Sequence, residues 1–196
     1  MRIFAALDIP PDCLDAIEDW RHPLKRVHPE LRWVRIENMH LTLRFLGDVG
    51  EGIVREAGRI LSVWNPGELE FALDRSGAFY RRDGAPAVYW LSGSFPDSVF
   101  RIAESLGDVP DDRGKRARGP FKPHITVARP RGKTSPERLP DPPAMLGRLT
   151  GPVLYESRLT NSGARYSVLE NFDRGSRPQG RARTMEGDRD GQGQGL

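Results

Sequence analysis

A single cysteine, Cys13, among 196 residues leaves no partner for an internal disulfide and no thiolate cluster for a metal. That scarcity fits a reducing compartment, and cytoplasmic placement is the expectation. Long apolar runs are missing too. Nothing approaches the roughly 18 consecutive apolar residues that a bilayer-spanning helix needs, which excludes a helical membrane span. The amino-terminal MRIFAALDIPPDC meets an acid and two prolines before any small-residue cleavage site, so it reads as a first strand rather than a leader. Net charge is equally scant. Thirty Lys and Arg against 27 Asp and Glu leave +3, too little to demand a polyanionic partner unless the positive groups gather in one place. They do gather: Lys115, Arg116, Arg118, Lys122, Arg129, Arg131 and Lys133 all flank His124, as a solvated basic loop or as an anion-facing one.

From Asp173 onward the chain is rich in Gly, Arg and Gln, with five Arg against one Glu and three Asp. So few large apolar side chains cannot offset the entropy of ordering, and a disordered tail over 173–196 is expected. Residues 1–172 then form one domain. Within it, an apolar run over Ile3–Ile9 predicts a strand, and Asp12 is placed as the N-cap of a helix that Pro23 should kink or end early. Extended runs at Leu31–Ile36 and Met39–Leu46 suggest two neighbouring strands. Helical spacing follows over Glu51–Trp64 and Pro96–Leu106, with strand-like runs at Leu69–Leu73, Ala87–Leu91, Lys122–Ala128, Val153–Leu159 and Tyr166–Leu169. The pattern is α+β, with roughly seven to nine strands and three or four helices.

One phrase occurs twice: Met39-His40-Leu41-Thr42-Leu43 and Pro123-His124-Ile125-Thr126-Val127. On a strand, residues i and i+2 share a face about 6.6 Å apart. Each motif therefore offers an imidazole and a hydroxyl on one side while its apolar residues face the core. A lone strand histidine is usually structural or a surface group, but with six threonines in the chain two such coincidences among four histidines have odds on the order of half a per cent. A zinc site is the competing reading, yet two histidines without ligand-spaced partners make only half a coordination shell. Two imidazoles on one cleft suit a reaction that needs both a base and an acid near neutral pH. In-line attack at phosphorus is such a reaction, with Thr42 and Thr126 bonding the non-bridging oxygens where charge grows. No metal or cofactor is required.

The chain resembles the two-histidine (2H) phosphoesterases, and within them the RNA 2′,3′-cyclic phosphodiesterases, also called 2′–5′ RNA ligases. The resemblance is carried by RIFAALDIP, WVRIENMHLTLRFLGDV, GAFYRRDGAPAVYWLSG, GPFKPHITVARPR and LYESRLTNSGARYSVLENF, in that order. It implies a bilobal fold of two antiparallel sheets related by a pseudo-twofold, with helices packed outside and a central cleft. It also implies hydrolysis of RNA 2′,3′-cyclic phosphate ends, tRNA fragments included, to 2′-phosphates, with reverse 2′–5′ ligation. The resemblance makes Arg129 a phosphate-binding group and Phe45 a base-stacking one. Regular strand parity would turn both away from their histidines, so a bulge or strand end has to re-aim Arg129. Tyr166 is assigned to packing. His124 is cast as base toward water and His40 as acid toward the 3′-oxygen, with the reverse open. A small cyclic nucleotide substrate and a non-catalytic RNA-end binding module are the alternatives, and a monomer is expected.

Overall fold

The computed structural model describes residues 2–65, 69–132, 136–160 and 163–172. The tail expected over 173–196 and the basic Lys133 lie outside the described residues. Among those described are nine strands and three α-helices, in the order β1 (Arg2–Asp8), α1 (Pro11–Val27), β2 (Leu31–Trp33), β3 (His40–Asp48), α2 (Glu51–Val63), β4 (Glu70–Tyr80), β5 (Pro86–Ser94), α3 (Asp97–Gly107), β6 (Ile125–Pro130), β7 (Met145–Arg148), β8 (Thr150–Thr160) and β9 (Gly163–Asn171). The α+β expectation holds.

The strands form one antiparallel sheet in the order β7-β4-β5-β6-β3-β1-β8-β9, with β2 on β6. The two sheets expected from the sequence are thus two halves of a single sheet. Their joint is narrow: β3 and β6 share one paired position, Leu41 with Ile125. One face of the sheet carries Ile3, Ala5, Leu7, Leu41, Leu73, Leu91, Ile125 and Val127, all fully buried. The helices add Cys13 and Ile17 from α1, Ala57 and Leu61 from α2, and Val99, Ile102 and Leu106 from α3 to the same core. The helices also cross between halves. α1, which follows β1, packs on β7, and α3, which follows β5, packs on β3.

Four expectations need correcting. Asp12 is not the N-cap of α1; Pro10 holds that position, and the Asp12 carboxylate accepts from the Cys13 N–H inside the first turn. Pro23 neither ends nor shortens α1, which runs on to Val27. An internal proline costs about 3 kcal/mol, but tertiary anchors hold this helix: Ile17 is buried, and Arg21, also buried, bonds Glu18 and the Val34 carbonyl. β2 is not the neighbour of β3; it pairs with β6, and a single 3-10 turn, Ile36–Asn38, separates it from β3. β6 begins at Ile125 rather than Lys122, because Pro123 has no N–H to give a ladder. The short β7 was not anticipated, and β4 runs seven residues further than Leu73, through the polar Asp74-Arg75-Ser76. Ser76 is buried there because its hydroxyl donates to the Leu139 carbonyl and its N–H to Asp141.

Candidate active site

The seam between the halves organises the site. Antiparallel pairing about Leu41 and Ile125 sets residue 40 against 126 and residue 42 against 124, with all four side chains on the face opposite the core. Continued by one residue each way, this register points each imidazole toward the threonine of the other motif. The four residues singled out from sequence, His40, Thr42, His124 and Thr126, are brought together, and the positive charge of one histidine is felt at the other.

Both rings are held in the same way. His40 Nδ1 lies 2.9 Å from the Asn38 carbonyl, and His124 Nδ1 lies 2.7 Å from the Lys122 carbonyl. A carbonyl only accepts, so Nδ1 carries the proton and Nε2 is the free nitrogen. The supports are themselves fixed: Asn38 Nδ2 donates to the Ala164 carbonyl at the start of β9, and Ser92 Oγ donates to the Pro123 carbonyl. Aromatic rings then wall each imidazole. Phe4 stacks on His40 at 4.8 Å and Tyr166 meets it edge-on at 5.4 Å, while Phe79 meets His124 edge-on at 4.8 Å. The packing role expected for Tyr166 is thus packing against a site histidine.

Burial in this aromatic setting disfavours the imidazolium. It pushes His40 down to about 4, against the opposing pull of the Asn38 carbonyl and with help from His124. Burial also lowers His124, the Lys122 carbonyl opposes this, and the nearby Arg129 charge adds to the lowering. A reaction needing one neutral and one protonated imidazole is fastest, per free enzyme, between the two values. Both lie below the ordinary histidine value. The pH profile of kcat/KM should therefore peak below pH 6.5 and decline as pH rises toward 8, and Arg129→Ala should move the alkaline limb upward; an optimum at pH 8 would contradict this electrostatic picture.

Arg129 and Phe45 face the cleft despite their parity. Between β5 and β6, Trp90 pairs with Thr126 and Tyr89 with Ala128, leaving Val127 as an extra residue. This bulge buries Val127 and Ala128 in succession and turns Arg129 to the side of Thr126. Between β1 and β3, Ala6 pairs with Thr42 and Ala5 with Arg44, leaving Leu43 extra, so that Phe45 comes opposite Phe4. Phe45 contacts the Phe4 ring that also stacks on His40, and is 58% exposed. It is an available aromatic surface, not a core residue. Phe4, Phe79, Asn38 and Ser92 were not found from sequence, since only tertiary pairing brings them to the histidines. Of the basic cluster, Lys115, Arg116, Arg118 and Lys122 are exposed, while Arg131 is tied down by donating to the Leu31 carbonyl.

The LigT-like phosphoesterase family matches over residues 7–90. An RNA 2′,3′-cyclic phosphodiesterase of Thermotoga maritima is 30% identical over 176 residues, covering 86% of this chain and 93% of that protein. This chain belongs to the RNA 2′,3′-cyclic phosphodiesterase family. The Escherichia coli family member is likewise 30% identical, over 87% of this chain and 95% of its own length. The crystal structure of apo E. coli LigT superposes with a TM-score of 0.70 at 26% identity, covering 88% of this chain and 96% of that one. Among the described residues no helix is long and apolar enough to cross a membrane.

Proposed function

We propose that this family member opens 2′,3′-cyclic phosphates at RNA ends to leave 2′-phosphates, by acid–base catalysis from His40 and His124 without a metal. The observation that carries this reading is the pairing of Leu41 with Ile125 at the seam, which sets the two His-x-Thr motifs side by side with their imidazoles and hydroxyls on the same face. A phosphate seated there has an Nε2 on each side. His124 takes a proton from water as the water oxygen bonds to phosphorus in line with the 3′-oxygen. The P–O3′ bond breaks, and His40 delivers the proton that the departing oxygen needs. Thr42 and Thr126 donate to the non-bridging oxygens, and Arg129 offsets the growing negative charge. Phe45 stacks on the base of the terminal nucleotide.

The scheme needs no metal, because His40 and His124 supply the base and the acid while Thr42, Thr126 and Arg129 meet the charge that grows on the phosphate oxygens. The same geometry run backward joins a cyclic phosphate to a 5′-hydroxyl, the 2′–5′ ligase direction, with hydrolysis favoured in water. The protein works as a monomer on RNA ends, tRNA fragments among them, in the cytoplasm.

The test is product analysis on an oligonucleotide ending in a 2′,3′-cyclic phosphate, in excess EDTA. Full turnover to a 2′-phosphate is expected. Turnover only after adding metal, or a 3′-phosphate product, would overturn the scheme.

A further inference from the structure

At the edge of the cleft, Arg129 has a strand partner that this chemistry leaves unused. β2 runs antiparallel to β6 with Arg32 directly opposite Arg129, between the pairs Leu31 with Pro130 and Trp33 with Ala128. Leu31 is buried and Trp33 packs on the core, so Arg32 between them turns to the cleft side, where the β6 bulge has also turned Arg129. Like charges on directly opposed strand residues repel. The Arg32 charge is felt at Arg129, whose pKa is lowered by burial, drawn back up by the nearby Tyr166 and lowered again by Arg32.

Among the described residues neither guanidinium has a carboxylate partner. The acids flanking β2 are engaged elsewhere: Glu30 with His28, and Glu37 with Arg35. A fold that holds two guanidiniums side by side with no acid between them is preorganised for an anion, and the planar fork suits phosphate. The location narrows the choice. β5 occupies one edge of β6, so β3 and β2 share the other, with β3 at Ile125 and β2 from Ala128 onward. Arg32 therefore continues the line of His40. Arg129 lies roughly 7 Å along the strand from Thr126, within reach of the reacting phosphate. Arg32 lies one further strand spacing, about 4.8 Å, to the side.

We propose that Arg32 binds the phosphodiester one nucleotide inward from the cyclic end, so that the site selects the terminus of an oligonucleotide over a free mononucleotide. This rests on the activity proposed above and adds a specificity determinant to it.

The experiment compares kcat/KM for a dinucleotide ending in a 2′,3′-cyclic phosphate with that for the corresponding mononucleotide. It uses the full chain, Arg32→Ala, and Arg32→Gln as a second variant that keeps more of the side chain. Loss of a charged hydrogen bond lowers the dinucleotide-to-mononucleotide ratio about tenfold in both variants. The dependence of log kcat/KM on log salt for the dinucleotide becomes shallower by about 0.7, the contribution of one single-strand phosphate contact. A ratio that stays at the wild-type value, whether both substrates are unaffected or both fall equally, overturns the role of Arg32. A wild-type protein that opens neither substrate overturns the underlying activity instead.

Discussion

Replacing either His40 or His124 with alanine is expected to slow opening of a 2′,3′-cyclic phosphate by about 10³-fold or more, at the upper end of what a positioned general acid or base supplies. The expectation is large for both because neither position has a substitute. Each ring is locked with Nδ1 on a backbone carbonyl two residues before it, and the rings contacting them, Phe4, Tyr155, Tyr166 and Phe79, include no group suited to proton transfer near neutral pH. The two variants should differ on a substrate whose bridging 3′-oxygen is replaced by sulfur. A thiolate leaves without needing a proton, since thiols ionise near pH 8.5. His40→Ala should regain most of its rate on that substrate and His124→Ala should not. Rescue of the second variant alone would exchange the two roles, and rescue of neither would remove the acid from the scheme.

Gly93→Ala is expected to cost about 3 kcal/mol of stability, the upper range for overpacking a well-filled interior, and to lower Tm by about 6–12 °C in a chain of this size. Gly93 sits in β5 opposite Leu73, and a methyl group there would lie 2.0 Å from the Ala72 carbonyl oxygen and 2.9 Å from its carbon. Both obstacles are backbone, so no side-chain rotation relieves them. The strands would have to part next to Ser92, whose hydroxyl holds the Pro123 carbonyl ahead of His124, and activity should fall along with stability. Gly52→Ala is the control. It lies in α2 with open space around its α-carbon, and replacing an exposed helix glycine by alanine should stabilise by roughly 0.5–1 kcal/mol. Thermal denaturation of the two variants checks both signs, and a Gly93 variant as stable as wild type would mean that the β4–β5 pairing is looser than described.

The four residues of the candidate site were legible because strand periodicity and residue chemistry agree: His40 with Thr42 and His124 with Thr126 need only a step of two to share a face. Phe45 and Arg129 were legible only through resemblance. Counting parity turns both away, and it fails because Leu43 and Val127 are extra residues whose bulges reset the alternation. A bulge depends on the partner strand, which no local pattern contains. The same limit hid the neighbour of β2. Two adjacent extended runs suggest a pair, yet the chain between them turns through Ile36–Asn38 and sends β2 to β6. Pro23 was misread for a related reason. The local penalty is real, but the burial of Ile17 and Arg21 decides the length of the helix.

The site proposed for catalysis coincides with the thinnest joint in the sheet. Among the described residues β3 and β6 pair only at Leu41 with Ile125, so the spacing of the two imidazoles rests on one bridge and not on a long ladder. The helices α1 and α3, each following a strand of one half and packing on a strand of the other, supply the ties between the halves that this short ladder does not.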